Sequence, residues 1–305
     1  MREKITVIGS LNYDIVLKIP RLPECGETLP ADSAVFSPGG KGANQAVQAA
    51  KLGVPVQMVG CVGDDGHGQI LLEAARRYGV DTEHVRRCKE PTGMGIINAM
   101  EDGSVFACIV RGANFAVKKE DIDQAKEILK DTFLAVLQME IPQEINCYAI
   151  EKAKEWGCKV LLNAAPAEEI PLDYLKMCDI IVLNEVEAGF YLKTDVKNEK
   201  DARKGAALLA ETCGSDIIIT LGKTGAVVSE GGKVTFIPSR KVEAIETTGA
   251  GDSFIGGVGY ALKSGKSLTD ACRFATCCSA VTVCRMGAQD AMPFLEEVME
   301  LEKQR

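Results

Sequence analysis

Glu246-Thr247-Thr248-Gly249-Ala250-Gly251-Asp252-Ser253-Phe254 is a glycine-rich turn that runs straight into an apolar helical pattern: Phe254, Ile255, Val258, Ala261 and Leu262. A helix start leaves unpaired backbone N–H groups and partial positive charge, which suit an anion. Glycines let a backbone approach a phosphate closely. A carboxylate in the same turn is a poor phosphate ligand, because like charges repel. Asp252 therefore reads as a proton acceptor in phosphoryl transfer, or as a first-turn acid that complements the helix dipole. The stretch alone leaves both readings open.

The chain around it has 305 residues, 46% apolar and 26% charged. That is the composition of an ordinary globular protein with room for a sizeable core. With 35 basic and 43 acidic residues the net charge is -8, which argues against bulk nucleic-acid binding. The twelve cysteines include no C-x-x-C pair, and most sit in apolar runs, among them Cys61, Cys108, Cys158 and Cys272. Buried free thiols in a reducing cytoplasm are expected. Two histidines, His67 and His84, are too few for a histidine-rich zinc site. No signal-peptide core or long apolar span occurs, so a cytoplasmic protein without membrane partners is expected.

Strand-like and helical runs alternate from Ile5 onward. Strands are expected at 133–139, 159–163, 179–183 and 215–220. Helices are expected at 121–130, 143–156, 185–192, 199–212, 250–264, 267–284 and 293–304. Such alternation implies a mostly parallel sheet covered on both faces. Two departures break it. Residues 92–100 and 104–110 read as strands around Glu101-Asp102-Gly103, a hairpin signal. Val227-Val228 and Val234–Ile237 read as an antiparallel pair. The first hairpin, with the turn-rich segment before Pro38, is expected to form a small lid sheet.

Polar residues gather where strands end, the place where open α/β sheets bind ligands. Asn12 and Asp14 share a face at period two and read as a hydroxyl-binding pair or as Asx turn residues. Gly39-Gly40-Lys41-Gly42-Ala43-Asn44 is a second glycine-rich helix start, functional or a plain turn with a surface lysine. Glu140 ends one strand. Asn184 ends another, with Glu187 one turn on. That pair could hold Mg²⁺ through water, or form a helix cap. Thr220-Leu221-Gly222-Lys223-Thr224-Gly225 reads as a nucleotide-binding loop or an ordinary turn. Gly259–Ser267 imitates a P-loop with one residue too many and lies at a helix end, so Gly265 reads as a helix stop.

Taken together, the two glycine-rich turns and Asn184-Glu185-Val186-Glu187 resemble, in order and spacing, the motifs of the ribokinase (PfkB) family. The resemblance extends over essentially the whole chain. It implies a single ribokinase-like α/β domain over residues 1–305, a three-layer α/β/α fold with a mostly parallel central sheet. A β lid would come from about 11–38 and 92–111. It also implies an ATP-dependent carbohydrate kinase acting on a primary hydroxyl, D-ribose first, with fructose, deoxyribose or a nucleoside as alternatives. A ligand-binding regulator on a dead scaffold is the non-enzyme alternative. By the resemblance Asp252 is the base and Gly249, Ala250 and Gly251 form the anion hole. Asn12, Asp14, Gly40, Lys41, Asn44 and Glu140 bind the sugar, under Gly95, Ile97 and Ile109. Asn184, Thr220, Gly222, Lys223, Gly225 and Gly251 bind ATP, and Asn184 and Glu187 hold Mg²⁺ through water.

The family's monovalent-cation site would use Glu246, Thr248, Thr282, Arg285 and Gly287. Two residues differ there from the usual pattern: Glu246 stands for Asp, and Ala291 for Ser. Weaker or altered K⁺ dependence is therefore expected. Arg111 stands where a small residue is usual, and is either solvated or in contact with an acidic or phosphorylated sugar. A homodimer through the lid is a further expectation.

Overall fold

The computed structural model describes residues 2–100 and 105–303. Its strands are β1 Lys4–Ile8, β2 Asn12–Ile19, β3 Ser33–Gly39, β4 Val56–Gly63, β5 Val80–Asp81, β6 Val85–Cys88, β7 Gly93–Met100, β8 Val105–Val110, β9 Thr132–Gln138, β10 Lys159–Asn163, β11 Ile180–Asn184, β12 Asp216–Thr220, β13 Gly225–Glu230 and β14 Lys233–Pro238. Ten form one sheet in the order β14-β13-β12-β11-β10-β9-β1-β4-β5, with β6 also beside β4. Pairing is parallel from β12 across to β5, and antiparallel only at β12–β13 and β13–β14.

Alternate residues of the central strands enter two apolar cores. Leu134 and Val136 pack on one face with Phe254, Ile255 and Val258. Ala135 and Leu137 pack on the other with Ile145, Ala149 and Ile150. Both faces are covered, which is why these strands read as continuous apolar runs. Each parallel crossover returns through a helix, so helix starts collect at the carboxyl ends of the strands. The glycine-rich turns are thereby placed on one rim. No described helix is long and apolar enough to cross a membrane.

A separate four-stranded sheet runs β3-β2-β7-β8. The strands β7 and β8 pair antiparallel, while the turn expected at Glu101–Gly103 lies outside the described residues. Asn12 and Asp14 are strand residues of β2 rather than a turn between strands. The helix expected at 121–130 is broken in two: Ala125 donates to the Ile122 carbonyl, a tight turn between Lys119–Gln124 and Lys126–Lys130. The last helix begins at Leu295, two residues later than expected, after Pro293. The short strands β5 and β6 were not evident in the pattern. Cys108 is exposed rather than buried, because β8 edges the small sheet. Gly265, at φ +83°, follows the helix end, and Lys266 faces Glu302 at 3.5 Å.

Candidate active site

Two helix starts face each other across the rim. Gly40 has φ +88°, and a Cβ there would strike the backbone of Leu11 and Asn12; only glycine fits. Helix Lys41–Lys51 follows. Its first N–H, from Lys41, donates to Glu140 Oε2 at 3.1 Å, and the Ser10 hydroxyl donates to the same oxygen. Glu140 is thus fixed at the carboxyl end of β9. Asn12 Oδ1 accepts from Asn114 Nδ2 at 2.7 Å. That bond turns the Asn12 amide so that its N–H₂ is left to donate. Asn114, a residue not singled out in the sequence, also receives the Leu11 N–H at 2.9 Å.

Asp14 lies in a niche that a Cβ on either Gly39 or Gly95 would fill. Burial raises its carboxyl to about 7, helped by the fields of Glu140 and Asp252. A Gly95 N–H and Lys41 oppose the rise. For Lys41 burial favours loss of the proton. The fields of Asp252, Glu140, Glu187 and Asp14 overcome it, and the net shift is upward.

The second helix, Ala250–Lys263, starts at Gly249, which has φ +75°. The Ala250 N–H turns back to the Thr247 carbonyl at 3.2 Å. The N–H groups of Gly251 and Asp252 make no hydrogen bond among the described residues and open toward the cavity. Asp252 is 9% exposed. Its Oδ2 accepts from Asn44 Nδ2 at 3.0 Å and its Oδ1 from Gln45 Nε2 at 2.9 Å.

A cavity of about 250 Å³ beside Asp252 is bordered by Lys41, Asn184, Glu187, Thr220 and Gly251. It shares Thr220, Thr247, Gly251 and Phe254 with a larger one of about 540 Å³. Gly222, Lys223 and Gly225 border the larger cavity, but so do Val242, Thr276, Ala280 and Val283. The latter group was missed from sequence. The one available signal was apolar Val242 and Ile245 in an otherwise polar segment. On the other side, a space of about 120 Å³ is bordered by Asn12, Ile109, Arg111, Phe115 and Glu140. Tyr13 points away and stacks on His67 at 4.4 Å.

Asn184 and Glu187 form the complete capping box. The N–H groups of Val186 and Glu187 donate to Asn184 Oδ1, and the Asn184 N–H donates to Glu187 Oε2, each at 2.8 Å. The capping role coexists with exposure to the cavity. Burial raises the Glu187 carboxyl, against the Asn184 N–H and Lys41. Among the described residues no group of three or more His, Cys, Asp or Glu could hold a metal directly. The donor set fits a hydrated ion shared with phosphates, not a protein cage.

The five residues of the expected monovalent-cation site border none of these three spaces. Glu246 Oε2 accepts the Gly287 N–H at 2.8 Å, and the Thr282 carbonyl accepts the Arg285 N–H at 3.2 Å. Ala291 is buried and offers no side-chain oxygen. Arg111 is paired with Glu168 at 3.3 Å and lies over the Phe115 ring at 4.3 Å.

Comparison with known proteins identifies the family and the fold. A sequence profile of pfkB family carbohydrate kinases matches residues 2–295. The chain is 36% identical over 301 residues to the ribokinase of Haemophilus influenzae, covering 98% of each. It is also 36% identical over 302 residues to the deoxyribokinase of Salmonella typhi, covering 97% of each. The structure of Arabidopsis thaliana ribokinase complexed with ribose and ATP superposes with a TM-score of 0.92, at 32% identity and 99% coverage of both chains.

Proposed function

The chain belongs to the pfkB family of carbohydrate kinases, and we propose that it uses ATP to phosphorylate the primary hydroxyl of a free pentose, D-ribose first. The observation that carries this reading is the position of Asp252. Its carboxylate is held by Asn44 and Gln45 at the border of a cavity that it shares with Lys41 and Gly251 and that joins a larger one along Thr220, Thr247, Gly251 and Phe254. Asp252 accepts the proton of the sugar hydroxyl as that oxygen attacks the γ-phosphorus. The free N–H groups at the start of helix Ala250–Lys263, with Lys41, stabilise the charge that develops on the phosphoryl oxygens. Such transfers are catalysed mainly by positioning and electrostatics.

Asp14 and Glu140 accept hydroxyl hydrogens, while Asn12 donates. Glu187 and Asn184 would hold Mg²⁺ near the phosphates, where it would supply positive charge to offset theirs. The small sheet acts as a lid, with Ile109 and Ile97 on the Asp14 face of its register. Closure excludes water and limits futile hydrolysis.

2-Deoxyribose is the second substrate reading, since the deoxyribokinase relative is as similar as the ribokinase. An ATP-consumption panel of ribose, 2-deoxyribose, fructose and nucleosides tests the reading. The highest kcat/KM is expected for ribose. A nucleoside turned over while ribose is inert would overturn it. Asp252→Asn should abolish phosphorylation yet leave nucleotide binding intact, and retained turnover would refute the base assignment.

A further inference from the structure

Asp252 leaves unexplained how a short carboxylate stays aimed at one hydroxyl. The terminal torsion of an aspartate is broad and roughly two-fold, so the carboxylate needs an outside restraint. One restraint is Asn44, which is 5% exposed and whose own oxygen accepts from Gln289 Nε2 at 3.2 Å. The other is Gln45, which is 1% exposed and borders none of the cavities. Gln45 cannot touch sugar or nucleotide, and its amide is nonetheless fully engaged. One N–H goes to Asp252 Oδ1 at 2.9 Å and the other to Asn163 Oδ1 at 3.0 Å. Its carbonyl accepts from Gln138 Nε2 at 2.8 Å.

Gln138 and Asn163 are register partners at the carboxyl ends of β9 and β10. The Gln138 backbone carbonyl accepts from Asn146 Nδ2 at 2.9 Å, and Asn163 Nδ2 donates to the Val182 carbonyl at 3.3 Å, which leaves Asn163 Oδ1 facing Gln45. The sheet rim thus sets one orientation of the Gln45 amide. A flipped amide would point its oxygen at the carboxylate and lose three bonds.

We propose that Gln45 is a positioning residue for phosphoryl transfer: held by Asn163 and Gln138, it fixes the attitude of the Asp252 carboxylate. The inference rests on the reading of Asp252 as the base. An amide donor suits this task, since its hydrogen bond is directional and restrains the carboxylate torsion. The charged groups whose fields are coupled to Asp252 are Lys41, Asp14 and Glu187.

The test compares Gln45→Leu, Gln45→Glu and Gln138→Met with the wild type and Asp252→Asn, reading kcat and both KM values. Gln45→Leu should lower kcat about ten- to hundredfold, the range of a lost hydrogen bond to a charged group. Both KM values should stay within about threefold, so that the loss falls on kcat. Gln45→Glu, which sets an acceptor against the carboxylate in place of a donor, should lower kcat further. Gln138→Met should cause a smaller loss of the same kind, and adding it to Gln45→Leu should cost nothing more, because the two act as one unit. Melting curves and binding of a non-hydrolysable ATP analogue identify any variant that fails to fold, in which case Gln45→Glu and Gln138→Met decide.

Folded Gln45 variants with wild-type kcat, beside an inactive Asp252→Asn, would overturn the inference and spare the base. Additive losses that appear in KM alone would also overturn it, by showing a purely structural role. An active Asp252→Asn would remove both.

Discussion

Asp14 offers the sharpest use of the pH scale. Burial and the neighbouring carboxylates raise its pKa from 3.8 to about 7, which corresponds to about 4 kcal/mol at ~1.4 kcal/mol per pH unit. The folded chain therefore holds a proton that the unfolded chain has already released across most of that interval. Stability from this group is complete below pH 4 and is lost as pH rises toward 7. Asp14→Asn removes the titration while keeping the shape. Between pH 5 and pH 8 the variant should gain about 2–3 kcal/mol on the wild type. For a chain of 305 residues, an unfolding entropy of ~2.1 cal/mol/K per residue converts this to about 3–5 °C in Tm.

Thermal unfolding of both proteins at pH 5, 6, 7 and 8 without sugar makes the measurement. The difference should grow with pH and flatten above 7. Ribose should then close the gap at pH 8, because its hydroxyls hydrogen-bond the ionised carboxylate in the wild type alone. A difference that is constant with pH, or that shrinks, would refute the charge account of the niche. The same variant should raise the sugar KM by about tenfold or more through the lost charged acceptor.

Lys51 is 6% exposed, donates to the carbonyls of Gln289 at 2.7 Å and Met292 at 2.8 Å, and lies against Tyr78 and Phe294. Lys51→Met should cost about 2–4 kcal/mol in urea unfolding, from the carbonyls left unpaired. It should also lower kcat, because Gln289 reaches Asn44 at 3.2 Å; unchanged stability would show that the loop is held elsewhere. Arg111→Ala breaks an exposed ion pair, so stability should change by less than about 1 kcal/mol. The sugar KM should nevertheless rise severalfold, and an unchanged KM would return Arg111 to the solvent. Potassium should activate only weakly, and strong activation at low concentration relative to tetramethylammonium would contradict the altered Glu246 loop. Sedimentation should show self-association through the small sheet, whose Phe36 and Phe106 are 57% and 50% exposed; a Phe36→Lys variant that sediments like wild type would exclude that face.

Much of the scaffold could be read because each level of the sequence agreed with the next. Continuous apolar strands, amphipathic helices and glycine turns all pointed to a parallel sheet with helix starts on one rim. The short strands β5 and β6 were hidden because two to four residues carry no period. Cys108 misled because an apolar strand at a sheet edge looks like one in a core. Within the site, residues on glycine-rich turns were legible because their chemistry is unusual for a turn. The apolar wall of the large cavity was not. Val242, Ala280 and Val283 are ordinary residues made relevant only by two distant segments meeting. Asn114 was hidden for the same reason: it holds Asn12 from 102 positions away.

The opening stretch gains a specific electrostatic reading. Asp252 looked misplaced beside an anion site, and the structure compounds the problem by adding Asp14, Glu140 and Glu187 around Lys41. Two devices make the arrangement tenable. Some of the charge is withdrawn, since Asp14 rises toward neutrality. The rest is supported by donors that cannot be lost to pH: Asn44 and Gln45 on Asp252, a backbone N–H and the Ser10 hydroxyl on Glu140, and the backbone and side-chain N–H groups of Asn184 on Glu187. Buried carboxylates are tenable where donors hydrogen-bond them, and amide donors on Asp252 add direction to that support. Under the proposed function, a base aimed at one hydroxyl needs such a fixed attitude, which accounts for two amides beside Asp252 as well as one lysine.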